Sequence, residues 1–230
     1  RTLAKAQKSI DHIKNDNVSA QTFNIKEIVE KVQQGDIIVS QLTASMHLDI
    51  AKICLEKKCH FVTTSYLAPD IKKLNEQAVA QNLTFINEVG LDPGIDHFFS
   101  HLLVQELKSL NLNNLSVSYK SYCGGIPAVP NDFKYKFSWS PVGVIRALNS
   151  PAKFTQNFEE KLVPQPYKEV KNHLINSESF EAYPNRDSLP YIEEYLFSPE
   201  WKIKEFVRGT LRLNGWTLAW VELFNMLEKH

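Results

Sequence analysis

Three short apolar runs, Asp36–Ser40, His60–Thr64 and Leu83–Val89, constrain this chain more than anything else in it. Each is continuously apolar and is separated from the next by a helical pattern, first Leu48–Lys58 and then Pro69–Gln81. Strands of that kind alternating with helices point to a parallel sheet covered on both faces. Upstream, Thr2–Ile13 sets Leu3, Ala6, Ile10 and Ile13 on one helical face. Val18–Ile25 alternates loosely, as a short strand would, and Glu27–Gln34 reads as helix.

The third run leads into Asn87-Glu88-Val89-Gly90-Leu91-Asp92-Pro93-Gly94-Ile95-Asp96-His97, ahead of a helical pattern over Phe98–Leu107. A sharp turn between strand and helix is where open α/β sheets place their chemistry. Pro93 has a fixed φ and no N–H, so it suits the first helical position, with Asp92 as the N-cap. Gly90 and Gly94 let the backbone approach something small. An ordinary capped turn explains the same residues, so the neighbouring segments have to decide.

Beyond the turn the pattern changes. Leu115–Tyr122 alternates as a half-buried antiparallel strand would, and Tyr135–Trp139 is a second alternating run. Val142–Leu148 reads as a short helix, Lys161–Val163 as strand-like and Phe206–Leu213 as a strand. Gly215–Leu227 reads as a helix with Trp216, Ala219, Trp220, Leu223, Met226 and Leu227 on its apolar face. The expected class is α/β. A partial Rossmann-like parallel sheet over residues 1–93 is followed by an α+β domain over residues 94–230.

The charge balance narrows the function. With 26 acidic and 26 basic residues there is no basic field for nucleic acid or an anionic membrane. No apolar run approaches the ~18 residues of a span, and the first residues do not read as a signal peptide. Cys54, Cys59 and Cys123 are an odd number without zinc spacing, which suits reduced thiols in a cytoplasmic protein. Cys54 and Cys59 read as small apolar core groups. His97 and His101 lie at i, i+4, but no third ligand sits at a motif spacing, so no metal is expected. Only five of the 26 basic residues are arginine: Arg1, Arg146, Arg186, Arg208 and Arg212. Arginine offers a planar fork for carboxylate or phosphate that lysine lacks, and three of the five fall between positions 186 and 212.

Several blocks come in a fixed order: Val62-Thr63-Thr64-Ser65-Tyr66, then Asn87–His97, then Ser121-Tyr122-Cys123-Gly124-Gly125. Tyr135-Lys136-Phe137-Ser138-Trp139-Ser140-Pro141, Tyr183-Pro184-Asn185-Arg186-Asp187-Ser188 and Arg208-Gly209-Thr210-Leu211-Arg212 follow. Together they resemble the saccharopine dehydrogenase family, in its NADP-dependent, L-glutamate-forming branch, from the first residue to about Leu213. The resemblance implies an oxidoreductase of lysine metabolism. With NADPH it reduces the imine of glutamate and aminoadipate semialdehyde to saccharopine, and a homodimer is compatible with it. It places Arg1, Thr2, Thr64, Ser65, Leu91, Asp92 and Pro93 at the cofactor. Ser65, Tyr66, Asp92, Cys123, Phe137, Ser138, Arg186, Arg208, Gly209 and Thr210 fall at the substrate, with Asp92 the candidate acid–base group.

Two departures stand against it. Gln41-Leu42-Thr43-Ala44-Ser45-Met46-His47 has Thr43 where the family has proline, and no G-x-G-x-x-G occurs, the first glycine being Gly35. The chain is therefore expected to start mid-domain and, as given, to bind NADPH weakly or not at all. A cofactor-free binding module and a carboxynorspermidine-type imine reductase are the alternative readings.

Overall fold

The computed structural model describes residues 2–112 and 114–229. The chain divides into two compact units, Arg1–Pro93 and Gly94–His230.

The first unit carries α1 (Leu3–Ile10), α2 (Ile25–Lys31), β1 (Ile37–Ser40), α3 (His47–Lys57), β2 (His60–Thr63), α4 (Pro69–Lys72), α5 (Asn75–Ala80) and β3 (Phe85–Ile86). The strands form a parallel sheet in the order β1-β2-β3, with Ile38 beside Phe61 and Ser40 beside Thr63. Strand side chains alternate between faces, so Ile38, Ser40, Phe61, Thr63 and Phe85 share one face. There α3 packs Ile50, Ala51 and Cys54 against Phe61, together with Cys59. Lys58 ends α3 in the left-handed conformation (φ 57°), and Cys59 N–H closes back on the Cys54 carbonyl at 2.8 Å. Burial, with the neighbouring Cys59 as a smaller cause, pushes the Cys54 thiol up to about 12.

Three expectations fail in this unit. Among the described residues the second face of the sheet stays open: Ile37, Val39 and Ile86 are 65, 59 and 41% exposed. Val18–Ile25 is not a strand, because Asn24 caps α2 through the Lys26 N–H (3.1 Å) and draws Ile25 into the helix. Pro69–Gln81 is two short helices, broken at Lys73–Leu74.

The second unit carries α6 (Ile95–Ser109), β4 (Ser116–Cys123), α7 (Pro141–Leu148), β5 (Ala152–Gln156), β6 (Glu159–Val163), β7 (Lys171–Ile175), β8 (Glu178–Pro184), α8 (Pro190–Glu194), β9 (Lys202–Leu213), α9 (Trp216–Ala219) and α10 (Val221–Leu227). The twelve-residue β9 is the spine of a six-stranded sheet. One edge takes β4 along Lys202–Thr210; the other takes β5 at Glu205–Phe206 and β8 at Gly209–Leu213. The alternation in β4 correctly signals half-burial, but the strand runs parallel to β9, not antiparallel to a neighbour.

Two aromatic clusters cover one face of this sheet. Val104 of α6 packs with Tyr119, Tyr195, Phe197, Trp201 and Phe206. At the other end Tyr135, Val144, Leu148, Tyr167, Tyr183, Trp216, Trp220 and Phe224 pack together. Trp216 and Trp220 are fully buried, and truncating a core Trp to Ala typically costs about 3–5 kcal/mol. Tyr135–Trp139 forms no strand. Its alternation reflects Tyr135 and Phe137 turning toward Trp220, at 5.4 and 6.2 Å between ring centroids.

Candidate functional site

In the first unit the polar residues gather where the parallel strands end. Ser40 and Thr63 are buried at the ends of β1 and β2, and Thr64, Ser65 and Tyr66 continue, half-buried, from β2. The turn after β3 folds back onto them. Glu88 N–H donates to the Ser65 carbonyl (3.1 Å) and Val89 N–H to the Thr63 carbonyl (3.4 Å), while Glu88 Oε1 accepts from Leu67 N–H (2.8 Å). Gly90 closes the turn onto the Pro93 carbonyl at 2.9 Å. A Cβ there would come within 3.0 Å of that oxygen and 3.2 Å of Thr64 Cβ, so the missing side chain lets the turn lie flush on β2.

This geometry corrects the expected cap. Asp92 is not the N-cap of α6, nor is Pro93 its first residue. The helix starts at Ile95 behind Gly94, whose φ of 148° suits glycine, and Asp96 Oδ1 accepts the Gly94 N–H at 2.7 Å. Because the turn is closed through Pro93, the exposed Asp92 carboxylate instead accepts the Tyr66 phenol at 2.7 Å. Thr64, Ser65, Tyr66 and Asp92, singled out separately in the sequence, meet at one edge. Leu91 stands 65% exposed beside Asp92, and Pro93 is buried. Thr2 lies away from this edge in the chain, as the N-cap of α1 (3.4 Å to Lys5 N–H). Arg1 lies outside the described residues.

Sequence reasoning missed His47. At the start of α3 its buried ring reaches Ser40 Oγ through Nδ1 (2.9 Å) and Ser65 Oγ through Nε2 (2.8 Å), with Thr63 Oγ1 at 3.3 Å from Nε2. Burial lowers its pKa and favours the neutral ring. The available signal was a histidine opening the helix between two apolar strands that both end in hydroxyl residues.

The edge fits the polar end of a dinucleotide cofactor. Its half-buried hydroxyls lie beside a glycine-lined turn, and Asn87 Oδ1 is buried with no hydrogen-bond partner among the described residues. Ordered water or a ligand donor would satisfy such an acceptor.

In the second unit the register of β9 builds the other group. Ser121 lies beside Arg208, and Cys123 beside Thr210; across the strand Thr210 faces Tyr183 and Arg212 faces Glu181. All seven project to the face covered by the aromatic clusters. Ser121, Cys123 and Thr210 remain half-buried between those clusters. Arg208 is nine-tenths buried: Nη2 donates to Asp96 Oδ2 at 2.6 Å, and the guanidinium lies 3.9 Å over the Tyr191 ring. Arg212 is also buried, with Tyr135, Trp216 and Tyr183 at 4.8, 5.4 and 5.7 Å, and burial raises the Tyr183 pKa. Gly209 falls on the opposite face, where a Cβ would meet the Tyr122 ring and the Tyr183 carbonyl. Phe137 packs on Tyr135, and Ser138 Oγ lies beside Gly125. Arg186 is exposed, follows β8 in the left-handed conformation (φ 53°), and accepts Lys153 N–H on its carbonyl.

His97 is half-buried on α6. Its Nδ1 lies 2.8 Å from Tyr195 Oη and its ring stacks on Tyr191.

Residues 90–230 match the family described as Saccharopine dehydrogenase C-terminal domain, and residues 1–86 the Saccharopine dehydrogenase NADP binding domain. The chain belongs to the saccharopine dehydrogenase family. It is 36% identical over 224 residues to Saccharopine dehydrogenase [NADP(+), L-glutamate-forming] of Schizosaccharomyces pombe, covering 94% of this chain and 48% of that protein. It is 34% identical over 232 residues to Alpha-aminoadipic semialdehyde synthase of Arabidopsis thaliana, covering 96% of this chain and 21% of that one. The apo structure of saccharopine dehydrogenase (L-Glu forming) from Saccharomyces cerevisiae superposes with a TM-score of 0.77 at 32% identity, over 94% of this chain and 49% of that one. This saccharopine dehydrogenase family member thus spans about half the length of the fungal relatives it matches. Among the described residues no helix is long and apolar enough to cross a membrane.

Proposed function

We propose that this chain carries the core of an NADP-dependent, L-glutamate-forming saccharopine dehydrogenase, an oxidoreductase of lysine metabolism. Residues 1–93 are assigned to dinucleotide binding and residues 94–230 to the substrate. The observation that carries the reading is the meeting of Thr64, Ser65, Tyr66 and Asp92 at the end of β2, in a chain whose halves match that family's two domains in order. NADPH, when bound, supplies the hydride. Thr64 and Ser65 offer it hydroxyls, and Gly90 keeps the turn low beside them. The Tyr66 phenol donates to Asp92 Oδ1 and orients the carboxylate assigned to the substrate amine. As the imine carbon is reduced, the nitrogen takes up a proton, and Asp92 is the group assigned to relay it.

Saccharopine has three carboxylates, and the second unit supplies the matching groups. Arg186 lies exposed just after β8 and is assigned to a substrate carboxylate, and Cys123 and Thr210 give a half-buried polar strip on β4 and β9. The reading includes a cytoplasmic location, in keeping with three cysteines that are thiols and not disulfides. The test is NADPH oxidation dependent on both glutamate and aminoadipate semialdehyde and, in the reverse direction, saccharopine-dependent NADP+ reduction by the wild type and Arg186→Lys. Losing the fork but keeping the charge should raise the saccharopine KM by about ten- to a hundredfold, the scale of one charge-assisted bond. Oxidation that needs neither co-substrate, or an unchanged KM, would overturn the assignment.

A further inference from the structure

His47 ties together the ends of β1 and β2 through side-chain hydroxyls. A buried neutral imidazole is satisfied by one donor and one acceptor. This ring has three hydroxyls around it, those of Ser40, Thr63 and Ser65, and Ser65 is the half-buried one at the candidate cofactor edge. We propose that His47 is a positioning residue. As an Nε2-protonated imidazole it accepts from Ser40 at Nδ1 and donates to Ser65 Oγ, leaving the Ser65 hydrogen to be donated to an acceptor oxygen of a bound ligand. The step from Ser65 to a ligand rests on the cofactor-edge reading above; the arrangement of the ring does not.

Proton count selects between the two tautomers. Nε2 faces two hydroxyl oxygens, at 2.8 and 3.3 Å, and Nδ1 faces one, at 2.9 Å. An N–H is readily shared between two acceptors, whereas the single in-plane lone pair of a bare ring nitrogen serves two donors poorly. Thr63 Oγ1 accepts from Ser65 N–H at 3.3 Å and has a second lone pair for the Nε2 proton. Placing the proton on Nε2 satisfies Thr63 and Ser65 together and leaves Nδ1 for the Ser40 hydroxyl. Ser65 then receives from histidine and gives outward. The opposite tautomer would turn Ser65 inward and make it an acceptor toward a ligand, suited to an amine or amide donor.

Long-range ¹⁵N–¹H spectra of the histidine-labelled chain report which ring nitrogen carries the proton. The expected result at neutral pH is a protonated Nε2 and a bare Nδ1; protonation on Nδ1, or on both, overturns the proposal. The second arm titrates NADPH against the wild type, Ser65→Ala, His47→Leu, His47→Gln and the Ser65→Ala/His47→Leu pair. Ser65→Ala and His47→Leu should each weaken binding about two- to tenfold, the scale of one neutral hydrogen bond. The pair should lose little more than Ser65→Ala alone, and His47→Gln, which keeps an N–H donor, should recover most of the loss. Losses that multiply in the pair would make His47 a purely structural residue and sink the proposal. A wild-type chain with no NADPH-dependent change in its spectra counts against the cofactor reading of this edge, while the tautomer still decides for or against His47.

Discussion

Arg208 donates through Nη2 to Asp96 Oδ2 across 2.6 Å, with each side chain only 10% exposed. The other oxygen of the same carboxylate takes the Gly94 N–H at 2.7 Å. One acidic group therefore fixes the start of α6 and holds a guanidinium projecting from the middle of β9. The Tyr191 ring covers the cation from one side. Arg208 is thus built into the packing of the second unit, while Arg186 stays at the surface.

Removing one partner leaves the other charge buried. Asp96→Ala should cost roughly 3–5 kcal/mol, the usual scale for breaking a buried pair, and it also removes the acceptor of the Gly94 amide. Asp96→Ala combined with Arg208→Met should recover part of that loss, because no uncompensated charge remains. Urea unfolding of the two variants measures both. A loss below about 1 kcal/mol for Asp96→Ala would place the pair in effective contact with solvent.

Gly124 follows the last paired residue of β4, and a Cβ there would overlap the backbone of Leu211 in β9. The obstacle is main chain, which cannot rotate away as a side-chain tip can. Gly124→Ala should therefore push β4 from β9 beside Cys123 and Thr210 and cost about 1–3 kcal/mol or more. Thermal melting gives the cost. Amide exchange at Cys123 and Thr210 should accelerate more than at Ser118 and Glu205, and uniform acceleration would deny a local origin.

Much of this was legible in the residues, and the misses have physical causes. The parallel strands β1 and β2 are continuously apolar, and α3 between them carries a clear apolar stripe, so both showed. Of the hairpins β5–β6 and β7–β8, only the end of β6 did, as the strand-like run Lys161–Val163. Their two-residue turns, Asn157-Phe158 and Asn176-Ser177, are left-handed at both positions (φ 52° and 68°, 49° and 69°), a conformation usually signalled by Asn-Gly or Asp-Gly. Here only the leading asparagine gives it away. For β4, alternation reports half-burial and carries no information on strand direction. The Asp92 cap was a sound local inference that a tertiary contact overrode, since Tyr66 lies 26 residues away in sequence. His47 was hidden for the same reason: its partners Ser40, Thr63 and Ser65 converge only once the strands are paired.

The neutral His47 ring also makes stability depend on pH. Its folded pKa is depressed below the ordinary 6.5 by burial. Above 6.5 the ring is neutral in both states, and its interactions are fully present. As pH falls through 6.5 the unfolded chain takes up a proton that the folded chain resists, so stability is lost progressively down to the folded pKa. Asp70 and Glu205, whose pKa values are also lowered, act only below about 4.5. The melting temperature should therefore drop between about pH 7 and pH 5.5, and the drop should shrink in His47→Gln. Equal slopes for the two proteins would remove His47 from this window.

Asp92 is where architecture and chemistry can be separated most cleanly. Since it caps no helix, neither Asp92→Asn nor Asp92→Ala should carry the 0.5–2 kcal/mol penalty typical of a lost N-cap. What both lose is the acceptor charge for the Tyr66 phenol. That contact is exposed, so its loss should cost about 1 kcal/mol or less. Turnover should respond differently. If Asp92 orients the substrate amine and relays its proton, Asn and Ala should both lower kcat by about 10²-fold or more. Tyr66→Phe keeps the carboxylate but removes the phenol hydrogen bond to it, so it should lower kcat by a smaller factor. The order Asp92→Ala ≈ Asp92→Asn < Tyr66→Phe < wild type in kcat, with nearly level melting temperatures, is the expected outcome. A fully active Asp92→Asn variant would leave the carboxylate without a chemical role. A large fall in melting temperature for Asp92→Ala would instead make the turn a structural element first.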